Sequence, residues 1–332
     1  MLRPCEVSPD SAGAAGPGAL ASQYEASLPL APTSSETRSA EGDVGPSQPQ
    51  PQPQPGDGEN AYKLHRRFDR MGRLVGDAGM ERLFAAHVMV IGLGGVGSFA
   101  AESLCRSGIG RLSLVDFDRV CVTNTNRQLQ AMKGMIGKPK ATVLAERLRL
   151  INPQADIHPV MRFYDAETAA AILAAEPDFV VDAIDNITAK CHLLATCKRL
   201  RIPVVSSTGA SGRMDPTALQ IADLADTCID PLAQEVRKIL RTKYGFPQTG
   251  PFGIAAVYST EHPAHPEDLH YDAGEGFHCV CPGGKNEHHS CEERRLIYGT
   301  ASFVTGSFGL CCASVAVRHL AQAKAQSESA GG

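Results

Sequence analysis

Between Val88 and Arg127 the chain passes from a hydrophobic run, Val88-Met89-Val90-Ile91, through Gly92-Leu93-Gly94-Gly95-Val96-Gly97 to a helical pattern, then to a second apolar run that ends on Asp116. That order constrains the fold more than any other feature. A strand that delivers glycines to a tight turn and feeds a helix places backbone N–H groups at the helix N-terminus, where they can face phosphate oxygens. Asp116, 19 residues after Gly97, stands at the end of the second strand, where a carboxylate can meet a ribose hydroxyl, with Asp118 two residues on. The candidate nucleotide-binding residues are therefore Gly92, Gly94, Gly95, Gly97, Asp116 and Asp118. A glycine pattern of this kind opens redox domains, methyltransferases and other nucleotide-binding domains alike.

Further segments move the reading away from redox chemistry. Asn124-Thr125-Asn126-Arg127-Gln128, Gly137-Lys138-Pro139-Lys140 and Asp182-Ala183-Ile184-Asp185-Asn186 have no obvious use in hydride transfer. An Arg and a Lys converging on a polyphosphate can neutralise a leaving pyrophosphate, and an Asp at a strand end can hold Mg²⁺. Adenylation, attack of a carboxylate on the α-phosphate of ATP, needs that set. A nicotinamide-dependent oxidoreductase would leave Arg127 and Lys140 unexplained.

At these residues the chain resembles the ubiquitin-activating-enzyme-like adenylating superfamily, the ThiF/MoeB group that includes activators of small sulfur-carrier proteins. Further on, Val204-Val205-Ser206-Ser207-Thr208-Gly209-Ala210-Ser211-Gly212-Arg213-Met214-Asp215-Pro216-Thr217, Asp230-Pro231-Leu232-Ala233 and Val257-Tyr258-Ser259-Thr260-Glu261 resemble its tRNA threonylcarbamoyladenosine dehydratase branch. The resemblance covers roughly residues 65 to 322. It implies activation by ATP of the threonyl carboxylate on a modified tRNA adenosine beside the anticodon, followed by ring closure. It implies catalytic roles for Arg127, Lys140 and Asp185, nucleotide contacts from Asn124 and Asn126, and Mg²⁺ held by Asp185, with Asp182 supporting the strand end. Arg67-Phe68-Asp69-Arg70 matches an Arg-x-x-Arg segment that reaches into the partner subunit's ATP site, so a homodimer with Arg70 acting in trans is implied. A cysteine desulfurase system is a further partner that the resemblance suggests. Activation of a ubiquitin-like sulfur-carrier protein stays open as an alternative, because it shares the ATP residues.

Composition organises the chain. Residues 1–60 are rich in Ala, Gly, Ser and Pro, end near a Gln-Pro repeat and lack apolar periodicity, which predicts a disordered tail. That tail holds two arginines against eight acids, a net −6; the whole chain carries −4, so residues 61–332 carry +2. A near-neutral core requires any nucleic-acid surface to be a local patch, and Arg237, Lys238 and Arg241 on one predicted helix are the candidates for tRNA phosphates. The acidic start argues against a mitochondrial transit peptide, no secretory h-region is present, and the apolar stretch Phe303–Val317 falls short of the ~20 residues of a bilayer span. A cytoplasmic protein with no membrane segment and reduced thiols is expected.

Strands are predicted at 88–92, 111–116, 156–160, 178–182 and 203–207, with helices at 95–107, 139–150, 167–175 and 187–200 between them. This is the βαβ order of an α/β fold with a doubly wound, mostly parallel sheet, a Rossmann-like adenylation domain. The expected division is an ATP-binding part, 61–216, a substrate-side α+β extension of the same domain, 217–322, and a flexible tail, 323–332. The extension should hold a strand at 217–222, a helix at 231–242, a strand near 255–260 and a closing buried helix. His278, Cys279, Cys281, His288, His289 and Cys291 invite a zinc reading, but Cys-x-Cys and adjacent histidines do not form the paired Cys-x-x-Cys units of a closed tetrahedral site. The role of this loop is open.

Overall fold

The structure is a computed structural model that describes residues 66–267, 269 and 298–322. The expectations for the two tails and for the Cys279–Cys291 loop lie outside the described residues. A 3₁₀ turn, Arg66–Phe68, leads into α1 (Asp69–Ala85), followed by β1 (His87–Ile91), α2 (Gly97–Arg106), β2 (Arg111–Val115), α3 (Lys140–Ile151) and β3 (Asp156–Val160). Then come α4 (Ala169–Leu173), β4 (Phe179–Asp182), α5 (Ile187–Leu200), β5 (Val204–Ser207), β6 (Leu219–Asp223), α6 (Pro231–Lys243), β7 (Ala255–Ser259) and α7 (Ser302–Gln322).

The seven strands form one sheet in the order β3-β2-β1-β4-β5-β7-β6. All neighbours pair in parallel except β6, which runs antiparallel to β7 along the edge. The expected strand at 217–222 is β6, which begins two residues later, at Leu219, after a 3₁₀ turn, Pro216–Ala218. The chain order reverses between β1 and β4, so the crevice beyond the carboxyl ends of β1, β2 and β4 is the place where an open α/β sheet binds ligands.

Side-chain alternation explains the layering. Val88 and Val90 point to a core shared with Leu112, Leu104, Leu144 and Phe308, under α1, α2, α3 and α7. Met89 and Ile91 point to the opposite core with Val180, Leu194, Val236 and Leu240, under α4, α5 and α6. β4 is buried at every position, as a central strand covered on both faces must be.

α1 is not among the expected helices, whereas α7 is the expected closing buried helix and is longer than the apolar stretch Phe303–Val317. α1 is not announced by its sequence, because Gly76, at φ +71, kinks it and its apolar residues lack clean helical spacing. α7 is 21 residues long, which is long enough to cross a bilayer, and its apolar character has another cause. Val304, Phe308, Cys312, Ala316 and Leu320 are buried against the sheet and α2, so this is a core helix.

Candidate active site

The turn after β1 is packed so closely that only glycine fits it at two positions. At Gly97 a Cβ would stand 1.8 Å from the Gly92 carbonyl oxygen, and at Gly92, whose φ is +87, a Cβ would stand 2.6 Å from the Ala183 carbonyl oxygen. Gly95 backs onto Thr305 of α7. Gly94 is different: the nearest atom to its Cβ would be Gln128 Nε2 at 4.0 Å, so its outer side is open. The first intrahelical bond runs from Ser98 N–H to Gly94 O (3.1 Å), and the preceding N–H groups at this terminus have no intrahelical acceptor. Together with the helix dipole they give this end of α2 a partial positive charge suited to an anion.

Asp116, buried past the end of β2, braces this turn. Its Oδ2 accepts the Leu93 N–H (2.7 Å) and its Oδ1 the Asp118 N–H (2.8 Å), leaving each oxygen a further lone pair. Burial pushes its pKa up, against the pull of the Lys140 ammonium. Lys140 is the first residue of α3 and is also buried, with Nζ 2.9 Å from Asp118 Oδ2. Burial alone would lower its pKa, but the carboxylates of Asp116, Asp118 and Asp185 hold it above the ordinary value, so the lysine stays cationic. Asp185 is exposed beyond β4, beside Asn186, whose side chain caps α5 through Ala189 N–H (3.0 Å).

The loop that follows Asp118 is fixed by its own amides. Asn124 is buried and accepts the Cys121 N–H (3.0 Å); Asn126 Nδ2 donates to the Thr300 carbonyl (2.8 Å), tying the loop to the entry of α7. Arg127 is half-buried, and its guanidinium donates to Thr123 O and to Asn126 Oδ1, both at 3.0 Å. The fold thus gathers the glycine turn, Asp116, Asp118, Lys140, Asp185 and the Asn124–Arg127 loop at one edge of the sheet. Arg70 is apart from them within the chain: it lies on the first turn of α1, 89% exposed, 3.2 Å from Asp69.

Two supporting residues escaped the sequence reading. Lys190 is sealed inside α5, with Nζ 2.6 Å from Asp182 Oδ2 and 2.9 Å from Ser207 O, so Asp182 is committed to an internal ion pair. Gln130, also fully buried, donates to the Leu93 carbonyl (2.6 Å) from below the glycine turn. A lysine at i+8 from a strand-end aspartate was the available signal for the first; nothing in the sequence marks the second.

Beyond β5 a second buried pair locks the segments that carry the dehydratase-like motifs. Arg213 donates to Asp230 Oδ2 (2.9 Å), which also accepts the Gly209 N–H (3.0 Å), while Asp230 Oδ1 caps α6 through Ala233 N–H (2.7 Å). Glu261 accepts the Met214 and Asp215 N–H groups (2.9 and 2.8 Å). The candidate cations of α6 each have a partner within the chain. Arg237 hydrogen-bonds Thr227, Lys238 pairs with Glu235 at 3.3 Å, and Arg241 donates to Pro247 O while lying over the Phe252 ring, 5.1 Å from its centroid. Among the described residues no cluster of His, Cys, Asp and Glu has the makings of a metal site, and the described cysteines are free thiols.

A parallel doubly wound sheet with a helix-capped glycine turn and a carboxylate-bound lysine at its switch point defines a nucleotide-binding α/β protein. More narrowly, the chain belongs to the ThiF family, whose profile matches residues 68–330. It is 41% identical over 261 residues to a tRNA threonylcarbamoyladenosine dehydratase of Haemophilus influenzae, covering 78% of this chain and 95% of that one. The structure of the Escherichia coli tRNA N6-threonylcarbamoyladenosine dehydratase TcdA in complex with ATP superposes with a TM-score of 0.66 at 37% identity, over 77% of this chain and 93% of that one. A molybdopterin-synthase adenylyltransferase of Escherichia coli is 38% identical, but over 137 residues, 41% of this chain and 54% of that protein.

Proposed function

We propose that the protein is an ATP-dependent tRNA threonylcarbamoyladenosine dehydratase. The observation that carries this reading is the span of similarity. Dehydratase similarity extends over 78% of the chain and 95% of the relative, whereas the molybdopterin-synthase adenylyltransferase matches 41% of the chain.

In the reaction, an oxygen of the threonyl carboxylate attacks the α-phosphorus of ATP, the bond to the β-phosphate breaks and pyrophosphate leaves. A heteroatom of the carbamoyl group then attacks the activated carbonyl carbon and AMP departs with the former carboxylate oxygen, which accounts for the net loss of water. Within this chain the N–H groups around Gly94 and Gly95 cradle phosphate, Lys140 and Arg127 neutralise charge on the transferring and leaving phosphates, and Asp116 orients the glycine turn with a lone pair free for a ribose hydroxyl. Asn124 and Asn126 shape the loop that presents Arg127. Asp185, exposed and in no ion pair among the described residues, is the carboxylate suited to Mg²⁺, which would supply charge neutralisation when bound. The working form is a homodimer in the cytoplasm, with Arg70 of one subunit completing the site of the other.

The deciding experiment is mass spectrometry of tRNA nucleosides from cells lacking this protein, together with turnover of purified enzyme on threonylcarbamoyladenosine-containing tRNA. Accumulation of the open form and its cyclisation in vitro with ATP support the reading. Capture of a Gly-Gly-ended carrier protein with no change in tRNA would favour the sulfur-carrier alternative.

A further inference from the structure

We infer that the tRNA phosphate backbone docks on a basic lip formed by Arg119, Lys133, Lys138 and Arg162, rather than on α6; this rests on the dehydratase reading above. The argument is one of position. α6 is capped by Asp230, tied to Gly209 beyond the carboxyl end of β5, and runs toward the opposite edge of the sheet. There Arg241 lies over Phe252, whose N–H bonds Asp223 at the last residue of antiparallel β6, opposite the first residue of β7. The basic turn of α6 therefore sits at the amino ends of the parallel strands, while the glycine turn, Lys140 and Asp185 sit at their carboxyl ends. An anticodon-loop nucleotide whose carboxylate reaches the latter leaves its flanking phosphates near the same edge.

The lip lies at that edge. Arg119 follows Asp118 and donates to the Gly137 carbonyl (2.8 Å), and Val120 N–H bonds Lys138 O (2.9 Å), so the 119–120 segment and the 132–139 loop form one ridge leading into Lys140. A turn closed by Met135 N–H on Met132 O carries Lys133 outward on this loop. Met161 and Arg162 leave the carboxyl end of neighbouring β3, and Met161 meets Thr142 on the first turn of α3 while Phe163 packs edge-on against Phe117 (4.9 Å). All four cations are exposed, and no ion pair among the described residues includes any of them. Asp118 is engaged by Lys140, and Asp165 by the Glu167 and Thr168 N–H groups. Exposed Met132, Ile136 and Met161 among the cations add apolar surface for an unstacked base. Four uncompensated cations around the mouth of a site, in a core whose net charge is only +2, are an electrostatic footprint of single-stranded nucleic acid.

The test is tRNA binding across a salt series for four proteins: the parent chain, the quadruple variant Arg119→Glu/Lys133→Glu/Lys138→Glu/Arg162→Glu, the pair Lys133→Glu/Arg162→Glu, and Lys238→Glu/Arg241→Glu on α6. The pair avoids the Arg119–Gly137 and Lys138–Met135 bonds, so it reports even if the quadruple variant misfolds. Each lost contact should lower the slope of log affinity against log salt by roughly 0.7–0.9, so the pair should lose roughly 1.5 and bind tRNA on the order of tenfold more weakly. ATP-induced thermal stabilisation should stay at the parent value in the pair. Parental affinity and slope in the pair, or a loss confined to the α6 variant, would overturn the inference. Failure of the parent chain itself to bind tRNA would instead overturn the dehydratase reading.

Discussion

Lys190 Nζ lies 2.6 Å from Asp182 Oδ2 with both side chains shut off from solvent, joining α5 to the carboxyl end of β4 directly beneath the loop that carries Asp185. Ser206 donates to the same carboxylate oxygen (2.7 Å), and the Ser207 carbonyl accepts from the lysine, so the pair also fastens β5. Removing one partner of such a pair leaves a buried charge uncompensated. Lys190→Met should therefore cost about 3–5 kcal/mol, and Lys190→Met combined with Asp182→Leu should recover a substantial part of it, as read by urea unfolding. If the double variant is less stable than the single, the ion pair contributes more than the apolar replacement allows.

The two ends of the glycine turn should respond in opposite ways to the same substitution. Gly97→Ala drives a Cβ into the Gly92 carbonyl and cannot be accommodated without opening the turn, so thermal stability should fall together with ATP binding. Gly94→Ala meets nothing closer than Gln128 Nε2 at 4.0 Å and should leave the melting temperature near the parent while weakening ATP binding. Unchanged ATP binding in Gly94→Ala would show that Gly94 does not face the phosphate.

Lys140 is buried, and that changes what its removal does. An exposed cation in a cleft could be truncated at no cost to the fold; here Lys140→Ala removes the buried cation that Asp116 and Asp118 share. Adenylation should fall by a factor corresponding to about 3 kcal/mol of transition-state stabilisation. Unfolding in urea should show a concurrent stability loss, whereas half-buried Arg127→Ala should lose comparable activity with a smaller stability change. Because the folded-state pKa of Lys140 is raised, its contribution is fully present below the unfolded value of 10.5 and is lost only as pH rises through the folded one. An alkaline limb in the rate profile well below that point belongs to another group.

Glu102 gives the acid side of the profile. It takes Arg147 of α3 at 2.6 Å and Arg106 of its own helix at 2.8 Å. Burial pushes its pKa up, but the two guanidinium groups outweigh that and hold it below the ordinary value of 4.5. Its contribution is therefore present above the unfolded pKa and disappears as pH falls through the lower folded value. The unfolding free energy of the parent should drop more steeply below about pH 4.5 than that of Glu102→Gln, and parallel curves would remove Glu102 from the acid transition.

How far the sequence carried depended on whether the signal was periodic or relational. Strand-and-helix alternation gave the sheet and the helices from 95 to 200 because apolar spacing reports burial of each element separately. α1 was missed because Gly76 and Gly79 interrupt its apolar face, and its order comes from packing on α7, whose sequence lies more than 200 residues away. At the candidate site, glycines and charged residues could be named, but not what they touch: Asp116 looked like a ribose ligand and is also the brace of the glycine turn. The three cations of α6 look alike in sequence, yet Arg241 is spent on Phe252 and Pro247, partners that no helical spacing reveals.

Arg70 supplies the prediction that depends on assembly. Its side chain is 89% exposed on the first turn of α1, its hydrogen-bond partner among the described residues is the adjacent Asp69, and it lies apart from the cluster around Lys140. An arginine so placed adds little to its own fold, since an exposed ion pair is worth about 0–1 kcal/mol. It can, however, stabilise charge on a polyphosphate in a neighbouring subunit, as arginine fingers do in other phosphate-transferring enzymes. Arg70→Ala should keep the parent's unfolding free energy and lose adenylation. Mixed with Arg127→Ala chains, it should regain activity, because in each heterodimer one site pairs an intact Arg127 with an intact Arg70 from across the interface. The rescued fraction should follow the statistical share of heterodimers measured by native mass spectrometry. Heterodimers that form without any recovery would place Arg70 in its own subunit's chemistry or outside it altogether.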